Sequence, residues 1–83
     1  MNSRTYRIII EPDERQTYHG YVPALSGCHT WDTSIDGVKK KLREAIELYI
    51  EDLVANGEDV PQEKSFETFE TVMMPDAPGL QYA

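Results

Sequence analysis

Cysteine is almost missing from this chain of 83 residues, with Cys28 standing alone. One thiol excludes an internal disulfide framework and suits a reducing compartment. Glycine is sparse and scattered, at Gly20, Gly27, Gly37, Gly57 and Gly79, and none of these builds a phosphate-cradling loop between a strand and a helix. No hydrophobic run approaches the ~18 residues of a membrane span, and the apolar stretch near the N-terminus is too short for a signal peptide. Basic residues are outnumbered, 8 against 15 acidic, giving a formal net charge of -7. Such a field repels nucleic acids and anionic membranes and attracts a basic protein. The expectation is a soluble, cytoplasmic, single-domain protein with no nucleic-acid or membrane partner. A chain this short buries only a modest core, so a homodimer or higher homo-oligomer is the natural expectation.

The strongest pattern present is the segment SIDGVKKKLREAIELYIEDLVANG, residues 34–57. Ile35, Val38, Leu42, Ala45, Ile46, Tyr49, Ile50, Leu53 and Val54 recur at steps of three and four, which gathers them on one face of an α-helix. Ser34 can cap the first free N–H groups, with Thr33 as the alternative, and Gly57 can take the left-handed conformation that ends a helix. An amphipathic helix cannot bury its stripe alone, so the rest of the chain must supply the facing layer.

Three β-rich runs precede it. Residues 5–12, TYRIIIEP, place Tyr6, Ile8 and Ile10 on one face and Arg7, Ile9 and Glu11 on the other. Residues 12–16 are polar and open with proline, which predicts a tight hairpin. Residues 17–22 set Tyr18, Gly20 and Val22 against Thr17, His19 and Tyr21. After a turn at residues 24–27, residues 28–33 set Cys28, Thr30 and Asp32 against His29, Trp31 and Thr33. Beyond the helix, residues 66–74 have a β-favouring composition without clean alternation and are read as a fourth strand. Residues 75–83, with Pro75, Pro78 and Gly79, are read as an irregular tail. The fold expected is α+β, a βββαβ two-layer sandwich with one helix on one face of an antiparallel sheet, in a domain spanning residues 1–74. The other face of that sheet has no cover within the chain, and Ile9 and Tyr21 are candidates to lie on it.

Chemistry-bearing residues do not assemble into a convincing reactive centre. Ser26, His29 and Asp32 are near in sequence, but a triad needs a base in reach of the nucleophile and a group orienting the base, and these residues fit ordinary turn and strand positions. Cys28 and His29 are strand neighbours and point to opposite faces, leaving His19 as the other soft ligand, whereas zinc wants three or four convergent ligands. Glu11, Asp13, Glu14 and Asp32 could form a two-metal hydrolytic cluster, but most of them sit in or beside a hairpin loop, where solvated acids are normal. No catalytic, metal or cofactor site is assigned. The run Lys39, Lys40, Lys41 and Arg43 lacks interleaved aromatics and lies in an acidic chain, against nucleic-acid binding. Its cations occupy the first half of the helix and acids the second, the reverse of what the helix dipole favours.

The segment from Tyr21 to Thr30 carries Pro23, Leu25, Gly27 and Cys28 as Pro-x-Leu-x-Gly-Cys, and the helix carries Glu44, Ala45, Ile46 and Tyr49 as Glu-Ala-Ile-x-x-Tyr. With these two motifs the chain resembles the HicB-like antitoxin family over roughly residues 5–61. Ala24 and Ser26 stand where the family commonly has Asp and Pro, and Gly37 where a capping-box Glu is frequent. The resemblance implies a degenerate ribonuclease H-like βββαβ fold without catalysis. It also implies binding to, and neutralisation of, a small basic HicA-type toxin, an mRNA-cleaving endoribonuclease. Many relatives add a C-terminal DNA-binding domain, for which residues 61–83 leave no room, so the expectation is a short form. Partner contacts are read from charge and exposure: the acids Glu11, Asp13, Glu14 and Asp32 around Trp31 as an aromatic anchor. The alternatives are a stand-alone oligomeric scaffold or sensing module without a toxin, and a residual metal-dependent nuclease.

Overall fold

In the computed structural model, residues 3–76 and 79 are described. β1 (Ile9–Asp13), a three-residue 3-10 turn (Glu14–Gln16), β2 (Thr17–Tyr21), β3 (His29–Asp32) and α1 (Ile35–Ala55) follow in that order. The sheet is antiparallel in the order β1-β2-β3, with Ile10 opposite Gly20 and Gly20 opposite Thr30. One helix on a three-stranded meander is the α+β arrangement expected from the period-2 and period-3.6 patterns.

Local chemistry sets each boundary. Ser34 caps α1, its hydroxyl accepting from the Gly37 N–H at 2.9 Å. At the other end Glu58 N–H donates to Leu53 C=O at 2.9 Å and Gly57 N–H to Val54 C=O at 3.1 Å, with Gly57 at φ +67. This is a Schellman ending, satisfying carbonyls that the last turn leaves over. The β1–β2 hairpin turns through Arg15 and Gln16, both at φ 59. The connection to β3 is knotted by three backbone bonds of 3.0 Å among Val22, Leu25 and Cys28.

Those three residues, with Val38 and Leu42, are the fully buried core. Leu25 is thus a core side chain carried by a loop, and Gly27, at φ +79, supplies the left-handed step that returns the chain to Cys28. The Pro-x-Leu-x-Gly-Cys pattern is a core-plugging turn. Tyr6, Ile8, Ile10, Tyr18, Ala45, Ile46 and Tyr49 pack around it half-buried, matching the faces expected from alternation. Gly20 lies directly under the helix: a Cβ there would collide with the Val38 side chain and come within 2.9 Å of Leu42 Cδ1.

The fourth strand does not form: residues 58–76 carry no strand, and the β1 edge has no strand partner among the described residues. Residues 66–74 lie outside any helix or strand and face solvent, with Phe66 95% and Met73 93% exposed. A β-favouring composition needs an edge to pair with, and this segment departs from the sheet before reaching one. Just ahead of it the chain does follow the start of the molecule. Arg4 donates to the carbonyls of Val60 (2.7 Å) and Pro61 (3.2 Å), Tyr6 Oη donates to Pro61 C=O at 2.6 Å, and Glu63 accepts the Arg7 N–H at 3.2 Å. Of the tail expected at residues 75–83, Pro75, Asp76 and Gly79 are described and lie outside any helix or strand; the rest lie outside the described residues.

Candidate partner-binding face

Strand parity sorts the polar residues between the two sides of the sheet. Tyr18, Gly20 and Val22 point to the helix, so Ile9, Glu11 and Asp13 on β1, Thr17, His19 and Tyr21 on β2, and His29 and Trp31 on β3 point away from it. No element among the described residues covers that side. Glu11, His19 and Trp31 form one row across the three strands, because Glu11 is opposite His19 and His19 opposite Trp31.

The centre of this face is aromatic. The His19 and Trp31 rings stack at 4.5 Å between centroids, His29 meets the edge of Trp31 at 4.8 Å, and Tyr21 stacks on His19 at 5.7 Å. Cross-strand pairs of this kind are the unit of sheet stabilisation, and here they also leave Trp31 46% exposed. His19 Nε2 and His29 Nδ1 are 3.0 Å apart in a hydrogen bond, which requires one ring to donate and the other to accept.

The acids are fixed at its margin. The Trp31 indole N–H donates to Asp13 Oδ2 at 2.8 Å while Asp13 Oδ1 accepts the Glu14 N–H at 2.8 Å. These two bonds, the backbone one first, hold the Asp13 carboxyl below the usual carboxylate range. Glu11 is exposed one row away and Glu14 is exposed at the hairpin tip. The structure therefore brings Glu11, Asp13 and Trp31 to one face with Glu14 beside them.

Asp32 is elsewhere. It is on the helix side of β3, accepts the Thr33 N–H at 2.6 Å and lies 3.5 Å from the Lys41 ammonium. The Thr33 N–H and then Lys41 lower its carboxyl from the ordinary value. It ties β3 to the first turns of α1, which also gives Lys41 of the basic run a local role. Its separation from Trp31 follows from parity: residues 31 and 32 are strand neighbours. The same rule separates His29 from Asp32 and Cys28 from His29. Cys28 is buried and its thiol is pushed up by that burial. Among the described residues no group of three or more His, Cys, Asp and Glu side chains converges as metal ligands would, and no helix is long and apolar enough to cross a membrane.

Two members of the face, His19 and His29, entered the sequence reading only as weak metal-ligand candidates and, for His29, as part of the Ser26, His29 and Asp32 trio, not as partner contacts. The signal that joins them to Trp31 was available: both alternate with the core-facing residues, as Trp31 does.

Comparison with known proteins bears on the same residues. The family model described as HicB_like antitoxin of bacterial toxin-antitoxin system matches residues 6–75. A UPF0150 protein of Synechocystis sp. is 38% identical over 58 residues, 70% of this chain and 73% of that protein. One of Archaeoglobus fulgidus is 48% identical over 46 residues, 55% of this chain and 67% of its own length. The crystal structure of the N-terminal domain of Burkholderia pseudomallei antitoxin HicB superposes with a TM-score of 0.61 at 38% identity, covering 74% of this chain and 69% of that one. With its strand-strand-strand-helix core and the core-plugging turn at Leu25 and Cys28, the chain belongs to the HicB-like antitoxin family.

Proposed function

We propose that this protein is the antitoxin of a type II toxin–antitoxin pair and neutralises a small basic HicA-type mRNA endoribonuclease by occluding its RNA-binding or active face. The observation that carries this reading is the uncovered sheet face, with a half-exposed Trp31 hydrogen-bonded to Asp13 and acids at its margin. Aromatic anchors in a charged surround dominate binding energies at interfaces, and a net charge of -7 steers a basic partner into encounter. Glu11, Asp13, Glu14 and Trp31 are the proposed contacts, with Asp32 acting behind them by holding β3 to the helix. The protein acts in the cytoplasm, needs no cofactor and performs no chemistry itself; its domain, residues 1–74, is a reduced ribonuclease H-like unit.

The test is co-purification with the product of an adjacent short reading frame encoding a basic protein, followed by an RNA-cleavage assay. Stoichiometric loss of cleavage on adding this chain supports the reading. RNA cleavage by this chain alone, dependent on a divalent metal, would replace it by the nuclease alternative. A second reading, self-association as a homo-oligomer, is favoured by a separate observation: the exposed apolar segment at residues 66–74.

A further inference from the structure

We propose that residues 65–74 of one copy seat as a fourth strand in the groove beside β1 of a second copy, so that two chains exchange these arms reciprocally. The proposal rests on the self-association just described and not on the toxin.

The groove is a cavity of about 770 Å³ between α1 and the segment of residues 3–8 that leads into the edge strand β1. Tyr6, Ile8, Ile46, Ile50 and Val54 form its apolar wall. It lies where an amphipathic helix overhangs a sheet that ends one strand too early, at an edge strand whose backbone groups are a template for pairing.

The arm has the complementary chemistry. Alternation in an extended chain puts Phe66, Val72 and Met74 on one side and Phe69 and Met73 on the other. As a strand on β1, one set would enter the groove and the other would extend the open face of the sheet. All five are exposed, Phe69 at 85%, a length of apolar surface that a soluble monomer does not normally leave uncovered. Ten extended residues span roughly 33 Å, close to the ~32 Å of a 21-residue helix.

Charge agrees. Arg4, Lys39 and Arg43 lie at the groove against one acid, Glu47, and the arm carries Glu67 and Glu70 with no base.

Geometry favours a second copy over the arm's own groove. The radius of gyration is 17.4 Å and the longest extent 60 Å, whereas a compact domain of this length has a radius of about 12 Å. The arm leaves the body just after Glu63, whose carboxylate accepts the Arg7 N–H and ends the stretch that follows the start of the chain.

The experiment uses two charge-reversed full-length chains, a groove variant (Lys39→Glu with Arg43→Glu) and an arm variant (Glu67→Lys with Glu70→Lys). All four side chains are exposed, so each variant keeps the fold, as circular dichroism will report. Light scattering should give a dimer for the unmodified chain and at least tenfold weaker self-association for each variant alone. Mixing the two variants should restore the dimer, because in an exchanged pair both arms then meet grooves of opposite charge. A monomeric unmodified chain, or variants that remain monomeric when mixed, overturns the proposal. Variants that dimerise as tightly as the unmodified chain overturn the arm exchange and leave self-association standing.

Discussion

Trp31 donates its indole N–H to Asp13 across the width of the sheet, at 2.8 Å, although the two residues belong to opposite edge strands. The bond sets the indole over the outer face and holds an acid against it. Trp31→Phe keeps a ring on the face and loses the donor, so the fold should survive with an unchanged far-ultraviolet spectrum. Affinity for the toxin should fall by about tenfold or more, as for truncation of a buried aromatic anchor, measured by calorimetric titration.

Gly20 is where the helix comes closest to the sheet. Gly20→Ala forces the added methyl against Val38 and Leu42, an overpacking of about 1–3 kcal/mol. In a chain of this size each kcal/mol lowers Tm by roughly 4–8 °C. Val38→Ala makes room for that methyl, so the double variant should lose less stability than the sum of the two single ones, which thermal melts will show.

Two carboxyls, the exposed Asp13 and the half-buried Asp32, contribute to the acid limb of stability. Asp13 and Asp32 are both lowered from the ordinary 3.8 by bonds that exist only in the folded chain. Their contribution is therefore complete above that value and lost as pH falls through the lower folded values. Urea titrations should find it unchanged from neutrality down to about pH 5 and declining below about pH 4, less steeply in Asp32→Asn. Cys28 acts at the other end: burial raises its thiol from 9.0, so stability falls as pH rises beyond that value, and alkylation at neutral pH should require unfolding.

Arg15 and Gln16 both sit at φ 59 in the hairpin, a conformation that costs a residue with a Cβ about 1–2 kcal/mol. Gln16→Gly should raise Tm by a few degrees, measured by calorimetry, with toxin binding unaltered because neither residue is among the proposed contacts.

Much of this architecture was legible in the sequence because it is local. The helix announces itself through Val38, Leu42, Ile46 and Tyr49 at helical spacing, and its ends through Ser34 and Gly57, all in those roles in the structure. The three strands show their faces by alternation, which put Gly20 with Tyr18 and Val22, while the close approach of the helix over Gly20 is seen only in the structure. The segment at residues 66–74 forms no strand within the chain, because β composition says that a segment can pair, not that an edge of the same chain lies within its reach. The candidate site was half legible. Charge and aromaticity picked out Glu11, Asp13 and Trp31, while grouping Asp32 with them ignored the alternation that the same reading had assigned to β3. Alternation already put His19 and His29 on outward faces of their strands, while their contact with one another and with Trp31 comes from the register between β2 and β3, a non-local fact.

The most direct measurement is the inhibition of RNA cleavage by the proposed partner ribonuclease, titrated with the unmodified chain and with a chain carrying Asp13→Lys and Glu14→Lys, at low and at moderate salt. Inhibition should be complete near one antitoxin per toxin, weaken as salt rises, and require at least tenfold more of the charge-reversed chain, with the salt dependence reduced. Equal inhibition by both chains, with the same response to salt, would contradict the acidic sheet face as the surface that meets the toxin.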